Sequence, residues 1–422
     1  MRIVAGLTAL VLAACSAGPE AGPEDGSEPV VIEPVAQALQ PLIDDGELAG
    51  VAVAVWQDDA LIGRWGQGVR DLESGAPMRA DTIVRIYSMT KPVTAVAMMQ
   101  LYEQGLWHPD DPVAAYLPEL ADVGVFRGLD AEGEPVITPP VRSPTMAQLM
   151  THTAGFSYGF LGGWVDDRYR EANLWASPSS DDFIETMASL PLNAEPGSEW
   201  RYSVSMDLQG VIIERLSGQS LSDYMRDHIF TPLAMADTGF SVDPAGADRL
   251  ATNYDWRDGR LQPENTSDGL FIDPFTEPGF AWGGGGLFST ADDFLRFGRM
   301  LLGGGELDGV RVLTEASVET IMTNQISHAV AAGGFGIGFQ QIRPGYQYGY
   351  NGVVVTDPRL GGVAVGEGTY LWDGRAMTWF WVDPAHDIVF VGMVQRNAGP
   401  GMPELQPLTQ RAMQAAFYPA GD

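Results

Sequence analysis

The chain of 422 residues contains 45% hydrophobic and 19% charged residues, an ordinary globular mixture that excludes a collagen-like or disordered protein. Its 55 acidic residues outnumber 24 basic ones, and the formal net charge of −31 argues against a nucleic-acid partner, because it repels phosphate backbones. A single cysteine excludes an intramolecular disulfide and a zinc site of the cysteine-cluster type.

The amino terminus has the pattern of a secretory signal, with Arg2, an apolar run over residues 3–12 and small residues before Cys15. The run is too short to cross a bilayer of about 30 Å as a helix. Its end, Leu-Ala-Ala-Cys, resembles the bacterial lipobox, in which the cysteine becomes the lipidated first residue. We therefore predict a signal peptide over residues 1–14, export to the periplasmic side and a membrane anchor at Cys15, followed by a flexible acidic tether over residues 15–33. The alternative is a plain signal peptide that contains a cysteine.

The first predicted elements of the folded chain are a β-hairpin and a helix. Residues 51–56 and 61–69 read as two strands, separated by a turn at Asp58-Asp59. After a short apolar stretch over residues 82–86, an apolar periodicity predicts a helix over residues 89–102.

Ser88 and Lys91 stand at the start of that helix, within Ser-Met-Thr-Lys. Residues three apart share a helix face, so Ser88 Oγ and Lys91 Nζ can come within hydrogen-bond reach. A buried lysine with a lowered pKa can remove the serine proton, whereas arginine stays protonated. A capping serine beside a surface lysine would give the same pattern by chance. Lys91 is, however, the only lysine of the chain, which favours a catalytic role.

The middle of the chain alternates predicted helices with loops rich in glycine and proline. The helices are expected over residues 145–150, 180–190 with Ser180 as N-cap, 202–216, 220–229 and 291–302, the last capped by Ser289-Thr290.

Two motifs of this region are interpreted as coincidental. Residues 155–159 read Gly-Phe-Ser-Tyr-Gly and match a nucleophile elbow, but they lack the strand before and the helix after that this motif needs. His152 just before them is interpreted as a structural loop residue. Residues 283–286 are four glycines without the spacing of a nucleotide-binding loop, so a tight loop is expected there.

The end of the chain returns to strands, predicted over residues 361–371, 376–382 and 388–394, before a final helix over residues 408–417. Strands at both ends predict one sheet assembled from both termini. We expect an α/β part at about 34–115 and 290–422 and a mostly helical part at about 116–289.

Five motifs in order resemble serine hydrolases of the class C β-lactamase fold, and most of all the family VIII carboxylesterases. They are SMTK at 88–91, LMTHTAGF at 149–156, YSVSMD at 202–207, WGGGGLFSTADDFLRF at 282–297 and WDGRAMTWFWVDP at 372–384. The resemblance implies a β-lactamase/penicillin-binding-protein-like fold, an antiparallel sheet flanked by helices plus a mostly helical domain, with the active site between the two parts.

The resemblance also implies roles for individual residues. Ser88 is then the acylated nucleophile, and Lys91 is the general base or its proton partner. Tyr202 passes the proton to the leaving group, for which its pKa would have to be lowered, and a nearby lysine cation would help; the sequence does not decide which of Lys91 and Tyr202 is neutral at rest. The backbone N–H groups of Ser88 and Arg375 would form the oxyanion hole.

The chain departs from this family pattern at two places. Trp372, Asp373 and Gly374 stand where β-lactamases carry Lys-Thr-Gly and family VIII esterases carry Trp-Gly-Gly. Asp373 is expected either to hold Arg375 or to line the acyl pocket. Val204 replaces an asparagine that takes the substrate amide in β-lactamases, and valine cannot make that hydrogen bond. These four residues are the predicted substrate pocket.

The sequence therefore predicts a carboxylesterase that hydrolyses small acyl esters through an acyl-Ser88 intermediate, with no metal and no cofactor. A β-lactamase or D-amino-acid peptidase on the same scaffold is the first alternative, and weak β-lactamase side activity is compatible with the prediction. A non-catalytic penicillin-recognising lipoprotein is the second.

Overall fold

The computed structural model describes residues 29–265, 273–333, 336–337, 340–341, 344–399 and 401–417. The predicted signal peptide and Cys15 lie outside these residues, as does most of the predicted tether. The tether was expected to reach residue 33, but the chain is already folded at Val30, whose N–H and C=O pair with Arg64 at 3.0 and 2.7 Å. The first helix then begins at Glu33.

The strands of the described residues are β1 (Gly50–Gln57), β2 (Ala60–Gly68), β3 (Val84–Arg85), β4 (Val125–Leu129), β5 (Pro135–Thr138), β6 (Tyr254–Arg257), β7 (Arg260–Pro263), β8 (Phe288–Ser289), β9 (Glu306–Leu307), β10 (Val310–Arg311), β11 (Gly336–Ile337), β12 (Gln340–Gln341), β13 (Tyr346–Tyr348), β14 (Val353–Val355), β15 (Tyr370–Asp373), β16 (Trp379–Asp383) and β17 (Ile388–Met393).

The helices of the described residues are α1 (Glu33–Asp44), α2 (Thr90–Glu103), α3 (Met146–Met150), α4 (Trp164–Ala172), α5 (Ser180–Ala188), α6 (Ser205–Ser217), α7 (Leu221–Met225), α8 (Ala291–Leu302), α9 (Glu315–Met322), α10 (His328–Ala332), α11 (Pro358–Gly361) and α12 (Leu405–Phe417). Within this part of the chain, no helix has the length and apolar character that a membrane span requires.

One antiparallel sheet of seven strands joins both ends of the chain, as predicted, in the order β13-β14-β15-β16-β17-β1-β2. Its middle is the pairing of β1 with β17, where Ala52 lies opposite Met393. Side chains of a strand alternate between the two faces of a sheet. On β16, Phe380 contacts Phe294 of α8 at 5.0 Å, whereas Trp379 donates a hydrogen bond to Thr409 of α12. Helices therefore cover both faces.

The helix that follows the predicted nucleophile lies in the centre of the molecule. Eleven of the 14 residues of α2 are buried, so this helix is enclosed on almost all sides. The segment that leads into α2 is held by the short pairing of β3 with β8. That pairing places the segment before Ser88 beside the segment that follows the four glycines.

Several predicted elements are confirmed and others need correction. The hairpin β1–β2 and the Thr290 cap of α8 are present as expected. Ser179 caps α5 in place of Ser180, because Ser179 has the extended backbone and accepts the N–H of Asp182. The predicted strand over 361–371 is wrong in its first nine residues, where the end of α11 and a loop with a left-handed Gly362 precede β15. Helix α1 and strands β13 and β14 were not predicted.

Candidate active site

The backbone before Ser88 is strained and tightly held. Ser88 lies in a single 3₁₀ turn, Tyr87–Met89, that leads into α2. Tyr87 has a φ of 41°, a left-handed conformation that costs energy for a residue other than glycine. Its hydroxyl donates to Glu264 at 3.1 Å, and Glu264 also pairs with Arg85 at 3.7 Å. These contacts keep the strained turn in place and fix where Ser88 points.

The structure brings together the three residues that the sequence singled out for catalysis. Ser88 Oγ lies 2.6 Å from the hydroxyl of Tyr202 and 3.2 Å from Lys91 Nζ. Tyr202 comes from the segment just before α6, which begins at Ser205, three residues later than predicted. The serine oxygen is thus within proton-transfer distance of two groups that can take or give a proton.

Lys91 is fully buried, and its amine is held by one carbonyl and two aromatic rings. Its Nζ donates to the carbonyl of Gly284 at 2.5 Å and lies 4.7 Å from the ring centroid of Tyr202 and 5.2 Å from that of Tyr158. Burial lowers the pKa of Lys91 to about 7, although a nearby carboxyl, that of Asp207, opposes this. A substantial fraction of Lys91 is therefore neutral at pH 7 and able to accept a proton.

Tyr202 behaves differently from the expectation. Burial raises the pKa of Tyr202 above its usual value, and the neighbouring carboxyls of Asp373 and Asp207 raise it further, while the hydrogen bond with Ser88 opposes them. The lowered pKa that the sequence analysis took as a condition for this role is therefore not found in the resting site. The phenol stays protonated near neutral pH, so Lys91 is the group of this pair that can be neutral there.

A buried network behind Lys91 was missed at the sequence level. Tyr158 donates to one oxygen of Asp207 at 2.8 Å, and the N–H of Gly284 donates to the other at 3.1 Å. Burial raises the pKa of Asp207, while Lys91 and both hydrogen bonds favour its carboxylate. Through Gly284, whose carbonyl receives Lys91 Nζ, the network fixes the amine beside Ser88.

The four consecutive glycines form the tight loop that was expected. Their lack of a side chain lets the loop backbone lie directly against neighbouring residues. A Cβ on Gly284 would lie 2.3 Å from the Tyr158 hydroxyl and 2.7 Å from Asp207. A Cβ on Gly283 would lie 2.3 Å from the carbonyl of Met206. Only glycine lets the loop reach both Lys91 and the network behind it.

The elbow-like motif does not contribute a second nucleophile. Ser157 is buried and donates to Asp166 at 2.6 Å, and it is not among the residues that line the cavity described below. His152 is also buried, accepts the N–H of Ser203 at 3.2 Å and packs 4.8 Å from the ring of Tyr202. Burial and the charge of Lys91 lower the pKa of His152, so this residue is neutral and structural.

A cavity of about 880 Å³ opens over Ser88 and Tyr202, a size typical of small-molecule sites. One wall is the end of β15 with the residues that follow it: Trp372, Asp373, Gly374 and Arg375. The cavity is also lined by four aromatic side chains, those of Tyr158, Phe160, Trp175 and Trp282. Within the described residues, no group of His, Cys, Asp or Glu side chains is arranged to hold a metal ion.

Two predictions about the pocket can be compared with this cavity. Val204 was expected to line it, which is wrong: the side chain is fully buried, because it packs in the hydrophobic core, and it lies outside the lining residues. Asp373 does line the cavity, and no hydrogen bond or ion pair joins it to Arg375 in the described structure. Arg375 instead lies over the Tyr87 ring, at 5.6 Å.

Gly374 explains how the sheet reaches the nucleophile. A Cβ at this position would lie 2.3 Å from the carbonyl of Ile86, so only glycine allows the end of β15 to approach the turn before Ser88. Ser88 and Arg375 consequently border the same cavity. Their assignment to an oxyanion hole stays a prediction.

The comparisons with known proteins agree with this geometry. Residues 35–413 match the family model described as Beta-lactamase. The chain belongs to the beta-lactamase family. Among relatives in this family, Protein Rv1367c of Mycobacterium tuberculosis is 36% identical over 370 residues, covering 85% of this chain and 88% of that protein. Esterase EstB of Burkholderia gladioli is 32% identical over 361 residues, covering 79% and 82%.

The solved structures support the same fold. The structure titled "EstCE1, a hydrolase with promiscuous acyltransferase activity" superposes with a TM-score of 0.75 at 24% identity, covering 90% of this chain and 97% of that one. The β-lactamase/penicillin-binding-protein-like fold is therefore confirmed. Together with the relation to EstB, this makes the chain a beta-lactamase-fold hydrolase related to esterases.

Proposed function

We propose that this protein is a serine carboxylesterase that hydrolyses small acyl esters through an acyl-Ser88 intermediate. The observation that carries the proposal is the position of Ser88 Oγ, 3.2 Å from a buried lysine amine and 2.6 Å from a buried phenol, at the floor of a cavity. The similarity to EstB, which is named an esterase, supports the reaction class.

In the proposed acylation step, neutral Lys91 accepts the proton of Ser88 while Ser88 Oγ attacks the ester carbonyl. The N–H groups of Ser88 and Arg375 stabilise the negative charge on the carbonyl oxygen. Tyr202 then donates its proton to the departing alkoxide, and the ammonium of Lys91 supplies the replacement proton. The C–O bond to the alcohol breaks and acyl-Ser88 remains. In the second step, water takes the place of the alcohol and attacks acyl-Ser88. The proton transfers then run in the opposite direction, the bond to Ser88 Oγ breaks, and the acid is released.

The cavity favours a neutral ester over a β-lactam. A β-lactam presents a carboxylate, for which β-lactamases offer a cation, whereas this wall offers Trp372 and Asp373. It also presents a side-chain amide, and Val204 cannot bond to it from the core. Each missing contact is worth roughly 1.5–3 kcal/mol, so two together remove about two to four decades in kcat/KM.

We therefore expect kcat/KM for p-nitrophenyl butyrate to exceed that for a chromogenic cephalosporin by at least about 100-fold on one preparation. The Ser88→Ala variant serves as the blank for both substrates. Cephalosporin turnover equal to or faster than butyrate hydrolysis would contradict the esterase proposal and favour a β-lactamase.

The proposed base also predicts a pH dependence. Only neutral Lys91 accepts the proton, so kcat/KM should rise with pH through a limb near 7 and level off above it. The carboxylate of Asp373 raises the pKa of Lys91, so Asp373→Asn should move this limb to lower pH. The measurement is the pH profile of p-nitrophenyl butyrate hydrolysis by both proteins. A limb that moves to higher pH in the variant would rule out Lys91 as the titrating base.

We further propose that the mature protein is anchored to a bacterial membrane, on its periplasmic side, through a lipid on Cys15. The motif before Cys15 and the absence of any other cysteine support this. When the chain is expressed in a bacterium with residues 1–14 included, the protein should partition with membranes. The Cys15→Ala variant should keep its signal peptide. A wild-type protein found wholly in the soluble fraction, with an amino terminus other than Cys15, would contradict the anchor.

A further inference from the structure

Asp373 places a carboxyl group in the cavity. It ends β15, opposite Trp379 in the sheet, and it borders the same space as Ser88 and Tyr202. Among the described residues, no hydrogen bond or ion pair holds its side chain. A carboxyl group in a partly buried site is costly without a partner, so a cation that enters the cavity would be stabilised there.

The charges around Asp373 leave this carboxylate in need of a cation. Burial raises the pKa of Asp373 to about 6, and the charge of Lys91 opposes the rise, so the group is mostly ionised at pH 7. Loss of that charge, when Lys91 is the neutral base, raises the pKa of Asp373 further, and an ammonium group in the cavity would restore a cation that favours the carboxylate. The guanidinium of Arg375 lies over Tyr87 and does not replace the charge of Lys91.

Aromatic side chains that line the same cavity also suit a cation. The rings of Tyr158 and Phe160 stack at 4.9 Å with 9° between their planes, and Phe160 and Trp175 follow at 6.0 Å and 16°. Faces of aromatic rings attract ammonium groups through their quadrupole. The net charge of −31 adds a field that concentrates cations near the protein.

We propose that the cavity selects esters that carry an ammonium group, which pairs with Asp373 and packs on the aromatic wall formed by Tyr158, Phe160 and Trp175. This inference rests on the proposed esterase function and names its substrate class. The same carboxylate disfavours substrates that carry a negative charge.

The test compares cationic esters with neutral isosteres that differ by one atom. For a cation on the acyl side, the pair is p-nitrophenyl 4-(trimethylammonio)butanoate and p-nitrophenyl 5,5-dimethylhexanoate. For a cation on the leaving-group side, the pair is butyrylthiocholine and S-(3,3-dimethylbutyl) thiobutyrate. The quantity measured is the ratio of kcat/KM for the cationic and neutral members, for wild type, Asp373→Asn and a control, Glu404→Gln, which alters another acidic residue at the cavity.

In wild type we expect a ratio of roughly 10 or more in at least one pair, the size of one charge interaction in a partly buried site. Asp373→Asn should bring that ratio close to one, and Glu404→Gln should preserve it. Ratios near or below one in both pairs overturn the inference while leaving an esterase in place. A preference that survives Asp373→Asn also overturns it, because the general field of the protein would then be the cause. Absence of hydrolysis of all four esters would instead contradict the proposed function itself.

Discussion

Replacing Lys91 with arginine should lower kcat/KM for p-nitrophenyl butyrate by roughly 1,000-fold, nearly as much as Ser88→Ala. Arginine keeps the positive charge but cannot become neutral near pH 7, so it cannot accept the proton of Ser88. The buried amine, 3.2 Å from Ser88 Oγ, is the base of this mechanism. The measurement is steady-state kinetics on the purified variants.

Because Lys91 is fully buried, the larger guanidinium also disturbs packing. Lys91→Met separates the two effects, since methionine keeps an unbranched side chain of similar length without a basic nitrogen. Both variants should be inactive, and Lys91→Met should unfold at a temperature close to or above that of wild type. If Lys91→Arg kept most of the activity, the assignment of Lys91 as base would be wrong.

Replacing Tyr202 with phenylalanine should lower kcat/KM for an alkyl ester such as ethyl butyrate, whose alkoxide leaving group needs a proton, by at least about 100-fold, the lower end of what one positioned acid–base group contributes. The substitution removes only the hydroxyl that lies 2.6 Å from Ser88 Oγ. The ring should keep its contacts with His152 at 4.8 Å and Trp372 at 6.0 Å, so the fold should be retained.

Tyr169→Phe is the matched control for this loss. Tyr169 is also buried and donates to the carbonyl of Pro191 at 3.3 Å, but it lies outside the cavity. Its removal should change activity by less than about 3-fold, a size consistent with the loss of one ordinary hydrogen bond remote from the chemistry. A loss of less than 10-fold in Tyr202→Phe would show that another group protonates the leaving alkoxide.

Local signals in the sequence were enough to predict the sheet and the pairing of Ser88 with Lys91, whereas Tyr202 was identified through the family resemblance. The apolar run of β1, the turn at Asp58-Asp59, the Thr290 cap and the spacing of Ser88 and Lys91 each depend on a few neighbouring residues. The joining of β1 to β17 followed from strands at both chain ends. The strand boundary at 361–371 failed because several apolar residues there alternate with glycines that form a loop.

The network that fixes Lys91 could not be predicted in this way. Tyr158, Asp207 and Gly284 lie in three separate segments and meet only in the folded chain. Each of the three residues lies inside a motif that the sequence analysis noted for another reason. Nothing in the sequence indicated that the three side chains and backbone groups contact one another. The raised pKa of Tyr202 depends in the same way on burial, which is a property of the whole fold.

The identity of the nucleophile is tested most directly by covalent labelling of the purified wild-type protein. A fluorophosphonate reacts with an activated serine, forming a P–O bond to Oγ and releasing fluoride. We predict one adduct in the intact mass, located on the peptide that contains Ser88 and absent from Ser88→Ala. An adduct on Ser157, or no adduct on a folded protein, would contradict an acyl-Ser88 enzyme.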